Sequence, residues 1–177
     1  ISSVSWGRAP ITARVCPLSS RSARRGSRAA EVEAAQKLAE DVARAMYSRD
    51  VAVIAQGIVI LEVRPGFARV RMRVRADMLN GHAICHGGLV FTLADSAFAY
   101  ACNSYGLVTV AASAGIELLL PSREGDELTA EAVEVTRSRR NGIYDVTVRN
   151  QRDERVALFR GRSHQLNEPV IRESEAR

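Results

Sequence analysis

The 177-residue chain predicts an α+β fold, with antiparallel strands wrapped around one long apolar helix. Three observations carry this reading. Residues 89–103 form an apolar run with no helix breaker, opened by Gly87–Gly88. Alternating segments lie on both sides of it, most strictly Ala68-Arg69-Val70-Arg71-Met72-Arg73-Val74-Arg75, with apolar residues on one face and arginine on the other. Short turn sequences separate them, around Pro65–Gly66 and Asn141–Gly142, as antiparallel neighbours require. Strand runs around a single helix define α+β architecture.

Taken in order, residues 1–28 are rich in Ser and Arg, hold Pro10 and Pro17, and show no periodicity, so they read as a disordered basic extension. The chain begins with Ile1. A transit peptide, a nucleic-acid-binding tail and a mis-assigned start are three accounts of this segment, and the last is the plainest. From Arg28 to Ser48, Val32, Ala35, Leu38, Ala39, Val42, Ala43 and Met46 recur at helical spacing, and Asp50 ends the helix. Strands are expected over 55–63 and 67–76, around the turn 64–66. The arginine face of the second reads first as solvated surface and second as a face for a partner subunit or an acidic ligand. After the long helix Gly106 breaks the pattern. Strands follow over 107–120, ended by Pro121, and then over 126–137, 143–150 and 155–164. Ser138–Gly142 is a hairpin with Asn141–Gly142 as its turn. The ordered domain is expected over 29–166, with a flexible charged tail over 167–177.

Composition narrows the function. The net charge of +5 comes from the extension: residues 1–28 hold six arginines and no acid, so the remaining 149 residues carry −1. A near-neutral domain has no electrostatic footprint for nucleic acid. No stretch is apolar enough for a membrane helix. Three cysteines, Cys16, Cys85 and Cys102, make no disulfide framework and point to a reducing, cytoplasmic setting.

The chemistry concentrates in Met78–Gly88 and the helix it feeds. This polar, Gly-rich loop has little apolar surface with which to pack, yet it holds two of the three histidines. The N–H groups and dipole at the start of the helix favour a negative oxygen. Asp95 is the one carboxylate in an otherwise apolar helix. A buried carboxylate must be paired, hydrogen-bonded or functional. Two readings stand side by side: a satisfied structural acid on a narrow stripe with Thr92 and Ser96, or an acid that does chemistry. Gly87 and Asp95 are eight residues apart, about 12 Å along a helix. One chain cannot aim both at one carbonyl, so a shared reaction centre would take them from two subunits of a symmetric dimer.

The stretches Met78-Leu79-Asn80-Gly81-His82, Cys85-His86-Gly87-Gly88, Phe91–Asn103 and Val156-Ala157-Leu158-Phe159-Arg160-Gly161 resemble the hotdog-fold acyl-CoA thioesterases of phenylacetate degradation over about residues 31–166. The resemblance implies a six-stranded antiparallel sheet around the helix, paired into dimers and then tetramers. It implies hydrolysis of phenylacetyl- or hydroxyphenylacetyl-CoA with no metal or cofactor. It places the catalytic acid on Asp95, acting across the dimer interface. Asn80, His86 and Gly87 match the family's loop, and Ser113 matches a strand hydroxyl near the attacking water. CoA contacts map to Leu120, Pro121 and the hairpin Ser138, Arg139, Arg140, Asn141 and Gly142.

In that chemistry the Gly87 N–H suits the oxyanion. Asp95 either activates water or attacks directly to give a mixed anhydride. Asn80 and His86 either orient the reactants or merely satisfy loop backbone, and His82 reads as the latter. Arg139 and Arg140 read equally as phosphate ligands and as a solvated hairpin tip. His82-x-x-Cys85-His86 has metal-like spacing, but only distant His164 offers a fourth ligand, so no metal site is expected. A Cys85–His86 nucleophile pair is disfavoured because adjacent side chains on an extended loop diverge. The rivals are an acyl-CoA sensor without turnover and a hotdog enoyl-CoA hydratase or dehydratase.

Overall fold

The computed structural model describes residues 19–171, with side chains from residue 28. Residues 1–32 and 33–177 separate as two units. The described part of the first is helical and belongs to α1, Ser19–Tyr47. That helix starts ahead of the expected Arg28. Alanine and arginine are good helix formers and no proline interrupts the segment, but without an apolar stripe its helicity leaves no periodic signal. The part of the basic extension before Ser19 lies outside the described residues.

In the second unit, a short helix α2, Val51–Ala55, stands where the expected first strand would begin. Asp50 Oδ1 accepts from the Val53 N–H at 3.0 Å, so the residue expected to end one helix caps the next. Strand β1 is then Val59–Arg64 and β2 is Phe67–Arg73, closed by Pro65–Gly66. The remaining elements are α3 (Gly87–Asn103), β3 (Leu107–Leu118), β4 (Glu127–Ser138), β5 (Asn141–Arg149) and β6 (Arg155–Pro169). The six strands form one antiparallel sheet in the order β1-β2-β4-β5-β6-β3. Helix α3 packs against every strand. Its Leu93, Ala94, Ala97, Phe98 and Ala101 are fully enclosed, and Phe98 meets Tyr144 and Phe159 at 5.5 and 5.8 Å between ring centroids. Small residues on the helix let the curved sheet approach closely. This is the hotdog arrangement.

Two expectations change and one gains detail. The arginine face of β2 is solvent-facing surface laced with cross-strand ion pairs. Arg69 pairs with Glu131 at 2.6 Å and Glu62 at 3.2 Å, and Arg71 with Glu127 at 3.5 Å. Cross-strand register sets Arg69 opposite Glu131, which a single strand's pattern cannot reveal. The β4–β5 turn is Arg139–Arg140, with Ser138 opposite Asn141 and Arg139 at φ 52°. Asn141 and Gly142 are strand residues. A Cβ on Gly142 would lie 2.7 Å from the Tyr144 ring and 2.9 Å from Ser163 Oγ, so this glycine makes room rather than a turn. Finally, β6 runs past the expected end to Pro169, and Val170 is buried, its N–H on the Gly106 carbonyl at 3.0 Å. Residues 172–177 of the expected tail lie outside the described residues. No described helix is long and apolar enough to cross a membrane.

Candidate active site

The loop before α3 is built by its own hydrogen bonds. Asn80 N–H donates to the Ile84 carbonyl at 2.9 Å, and His86 N–H to that of Met78 at 2.9 Å. Asn80 Oδ1 accepts from the His82 and Ile84 N–H groups at 2.9 and 3.4 Å. Half of the Asn80 side chain therefore shapes the loop, while its Nδ2 donors meet no described partner. Ala83 sits at φ 56°, a left-handed conformation that costs a residue with a Cβ about 1 kcal/mol. The Ala83 N–H to Asn80 carbonyl bond at 3.0 Å holds it there. The neighbouring loop adds a strut, with Cys85 N–H on the Ser122 carbonyl at 2.8 Å. Cys85 is buried, and burial pushes its thiol up, so it packs rather than reacts. His82 is exposed and no described side chain joins it to Cys85 in a ligand set.

His86 caps α3. Its Nδ1 accepts from the Gly88 N–H at 3.1 Å, which leaves the proton of the neutral ring on Nε2. The Leu89 and Val90 N–H groups return to the His86 carbonyl. The Gly87 N–H makes no hydrogen bond among the described residues, and it lies at the positive end of a 17-residue helix.

Asp95 lies more than two turns further along. Thr92 Oγ1 donates to the Gly88 carbonyl and Ser96 Oγ to that of Thr92, at 2.9 and 2.7 Å, so both hydroxyls are spent within the helix. Neither hydroxyl is hydrogen-bonded to Asp95, although all three residues lie on one helix face. The Asp95 carboxylate has no hydrogen bond or ion pair among the described residues, and burial holds its pKa above the ordinary value of 3.8. It faces a pocket of about 330 Å³ shared with Met46, Phe98, Cys102, Val110 and Val170. Burial, with the Asp95 charge beside it, pushes the Cys102 thiol up to about 12, so Cys102 is wall rather than nucleophile.

One chain does not bring the remaining expected residues to this pocket. Asn80, His86 and Gly87 are outside its lining. Ser113 is exposed on β3 beyond Ala111, where the pocket stops. Leu120 and Pro121 are exposed, with the Leu120 N–H on the Val156 carbonyl at 3.2 Å. Ser138, Arg139, Arg140 and Asn141 are exposed around the hairpin tip, and Asn141 Oδ1 lies 3.1 Å from His164 Nδ1. Gly142 is buried and cannot touch a ligand there. Sequence reasoning missed Met46, Arg49 and Val170 in the pocket. They arrive from the end of α1, the α1–α2 junction and the end of β6, and no local pattern links such distant positions.

The profile of the Thioesterase superfamily matches residues 82–157. Acyl-coenzyme A thioesterase PaaI of Escherichia coli (strain K12) is 48% identical over 132 residues, 75% of this chain and 94% of that protein. The solved structure of E. coli PaaI, from the phenylacetic acid degradation operon, superposes with a TM-score of 0.75 at 48% identity, covering 76% of this chain and 97% of that one. A point variant of the phenylacetic acid degradation protein PaaI from Thermus thermophilus superposes at 0.63 with 42% identity, covering 65% and 98%. With its helix-wrapping sheet, the molecule falls in the class of hotdog-fold thioester hydrolases. The chain belongs to the thioesterase superfamily, among its PaaI-type acyl-CoA thioesterases.

Proposed function

We propose that this enzyme hydrolyses arylacetyl-CoA thioesters, phenylacetyl- or hydroxyphenylacetyl-CoA, to the free acid and CoA in phenylacetate degradation. The observation that carries the proposal is Asp95, a carboxylate with no ion pair or hydrogen bond among the described residues, in a largely apolar pocket. Desolvation raises its affinity for a proton, as a general base requires. Asp95 takes a proton from water as the water attacks the thioester carbonyl, or itself attacks to give an anhydride that water then opens. The Gly87 N–H stabilises the oxyanion, which collapses to expel CoA thiolate. Asn80 Nδ2 and His86 Nε2 orient the carbonyl and the water, and Ser113 assists from β3.

Two subunits share the site. β3 is an edge strand of the sheet, with no further strand beside it among the described residues, and Val110, Leu118, Leu119, Leu120 and Leu158 are exposed on or beside it. Such an edge is an aggregation hazard unless it is covered. Pairing with β3 of a second copy covers it and brings Asp95 of one subunit toward Asn80, His86 and Gly87 of the other, and two such dimers form a tetramer. Leu120, Pro121, Ser138 and the Arg139–Arg140 tip then hold CoA, the two guanidinium groups taking its phosphates. CoA thioesters and the free thiols of Cys85 and Cys102 suit the cytoplasm.

The test is thiol release from phenylacetyl- and 4-hydroxyphenylacetyl-CoA, with chelator present, using Asp95→Asn and Asn80→Ala alone and as refolded mixtures. Each variant alone should be inactive. A mixed dimer carries one site without either lesion, so activity should return on mixing. Inactive mixtures would refute the shared site. Binding of both thioesters by wild type without thiol release would replace the enzyme with a sensor.

A further inference from the structure

Asn103 is the last residue of α3 and lines the same pocket as Asp95. Its side chain is buried, with Oδ1 and both Nδ2 protons engaged. Oδ1 accepts from the Thr109 N–H at 2.8 Å, and Nδ2 donates to the Thr109 carbonyl at 2.8 Å and the Ala99 carbonyl at 2.9 Å. The amide therefore pairs with Thr109 as a one-residue strand would. Thr109 lies opposite Gln165 of β6, whose N–H points the other way, to the Arg140 carbonyl at 2.7 Å. The two are a non-hydrogen-bonded pair, so the Thr109 N–H and carbonyl face away from β6, on the open edge of β3. Asn103 covers that edge at Thr109. Beyond it residues 110–115 are exposed, and no strand lies beside β3 as far as Leu118 among the described residues.

We propose that Asn103 is a positioning residue: it stops the open edge of β3 at Thr109 and so fixes the register in which the β3 strands of two copies pair. The inference rests on the two-subunit site proposed above. Antiparallel pairing about a two-fold axis is centred where the two open edges match. With Thr109 covered, that edge runs over 111–118. With Thr109 free it gains an N–H and a carbonyl at one end, and the strands can pair one step further toward Thr109. That step is two residues, because a one-residue slip turns every side chain to the opposite face. Two residues at about 3.4 Å each displace one copy by about 7 Å along the other. Asp95 of one copy and the Gly87 loop of the other then no longer meet at one carbonyl, since a misplacement of about 1 Å already costs on the order of 10² in rate. Slipped dimers are inactive and aligned dimers are normal, so kcat falls while KM stays.

The experiment attaches a nitroxide to Leu119→Cys, exposed just beyond β3, in the full chain carrying Cys16→Ser, the thiols of Cys85 and Cys102 being buried. Pulsed electron paramagnetic resonance gives the separation between copies, and kcat and KM are read on phenylacetyl-CoA. The chain with Asn103 should give one separation. Asn103→Ala should add a population longer by about 7 Å and lower kcat about ten-fold at unchanged KM. Asn103→Ala combined with Thr109→Pro should return both to their starting values, because proline has no N–H to offer the edge and rebuilds the stop without the amide. Asn103→Ser gives the same readout if the alanine variant does not fold. One unchanged separation in these variants, or a proline double variant that stays split, overturns the proposal. The separations are read without turnover, so a chain with Asn103 that releases no thiol removes the thioesterase reading and still leaves the register role decided. A monomeric chain overturns the shared site and this role together.

Discussion

Asp95→Asn should lower activity and raise stability in one substitution. Amide and carboxyl have nearly the same shape, so the pocket walls of Met46, Phe98 and Val110 need not move. The amide cannot accept a proton from water or form an anhydride. Loss of a general base costs about 10²–10⁴ in kcat, equivalent to roughly 3–5 kcal/mol of transition-state stabilisation. Stability moves the other way. Burial raises the Asp95 pKa in the folded protein and no described group compensates its charge. The folded state therefore holds this proton more tightly than the unfolded state. Below the ordinary value of 3.8 both states are neutral at this position and the burial penalty is absent. As pH rises from there to the folded-state value the penalty develops, and above that value it stays constant. Asn carries no such penalty. Urea midpoints of wild type and variant should be furthest apart at pH 7 to 8, with Asn higher, and converge toward pH 4. An active Asp95→Asn enzyme would refute the catalytic assignment. A variant less stable than wild type at pH 7 would show that the carboxylate is held by favourable contacts and is not poised for chemistry.

Two further substitutions separate structure from chemistry elsewhere. Tyr144 is buried and its hydroxyl donates to Glu134 Oε2 at 2.8 Å, beside the Tyr105 hydroxyl at 2.9 Å, so Tyr144→Phe should cost about 1.5–3 kcal/mol and lower Tm by roughly 4–10 °C; a melt within about 1 °C of wild type would mean that Tyr105 alone satisfies the acid. His86→Ala should lose the α3 cap, about 1 kcal/mol by urea denaturation, while His86→Asn restores it. If Asn also restores turnover, His86 serves the reaction through the cap; if stability returns without turnover, its Nε2 proton is needed.

The fold class was legible because two periods dominate the chain. Period-2 alternation in 68–75 and an unbroken apolar run over 89–103 each bury a surface only when helix and sheet cover one another. Asn80, His86, Gly87 and Asp95 stood out because polar groups in an apolar or Gly-rich setting need a reason to be there. The separation of Gly87 from Asp95 along one helix, read from rise per residue alone, agrees with a pocket whose lining includes Asp95 but not Gly87. What escaped is what depends on neighbours distant in the chain. The glutamates that neutralise Arg69 and Arg71 lie on β1 and β4, and only register brings them opposite. Asn141–Gly142 has turn chemistry, yet the Tyr144 ring and Ser163 claim the space beside Gly142 and move the turn to Arg139–Arg140. Arg49 and Val170 are 121 residues apart and meet only because α1 and β6 end at the same pocket. Local sequence determines which surfaces must be buried and which groups are chemically conspicuous. Tertiary structure decides which of those groups meet, because hydrogen bonds and charge pairs act over a few ångströms of space, whatever the distance along the chain.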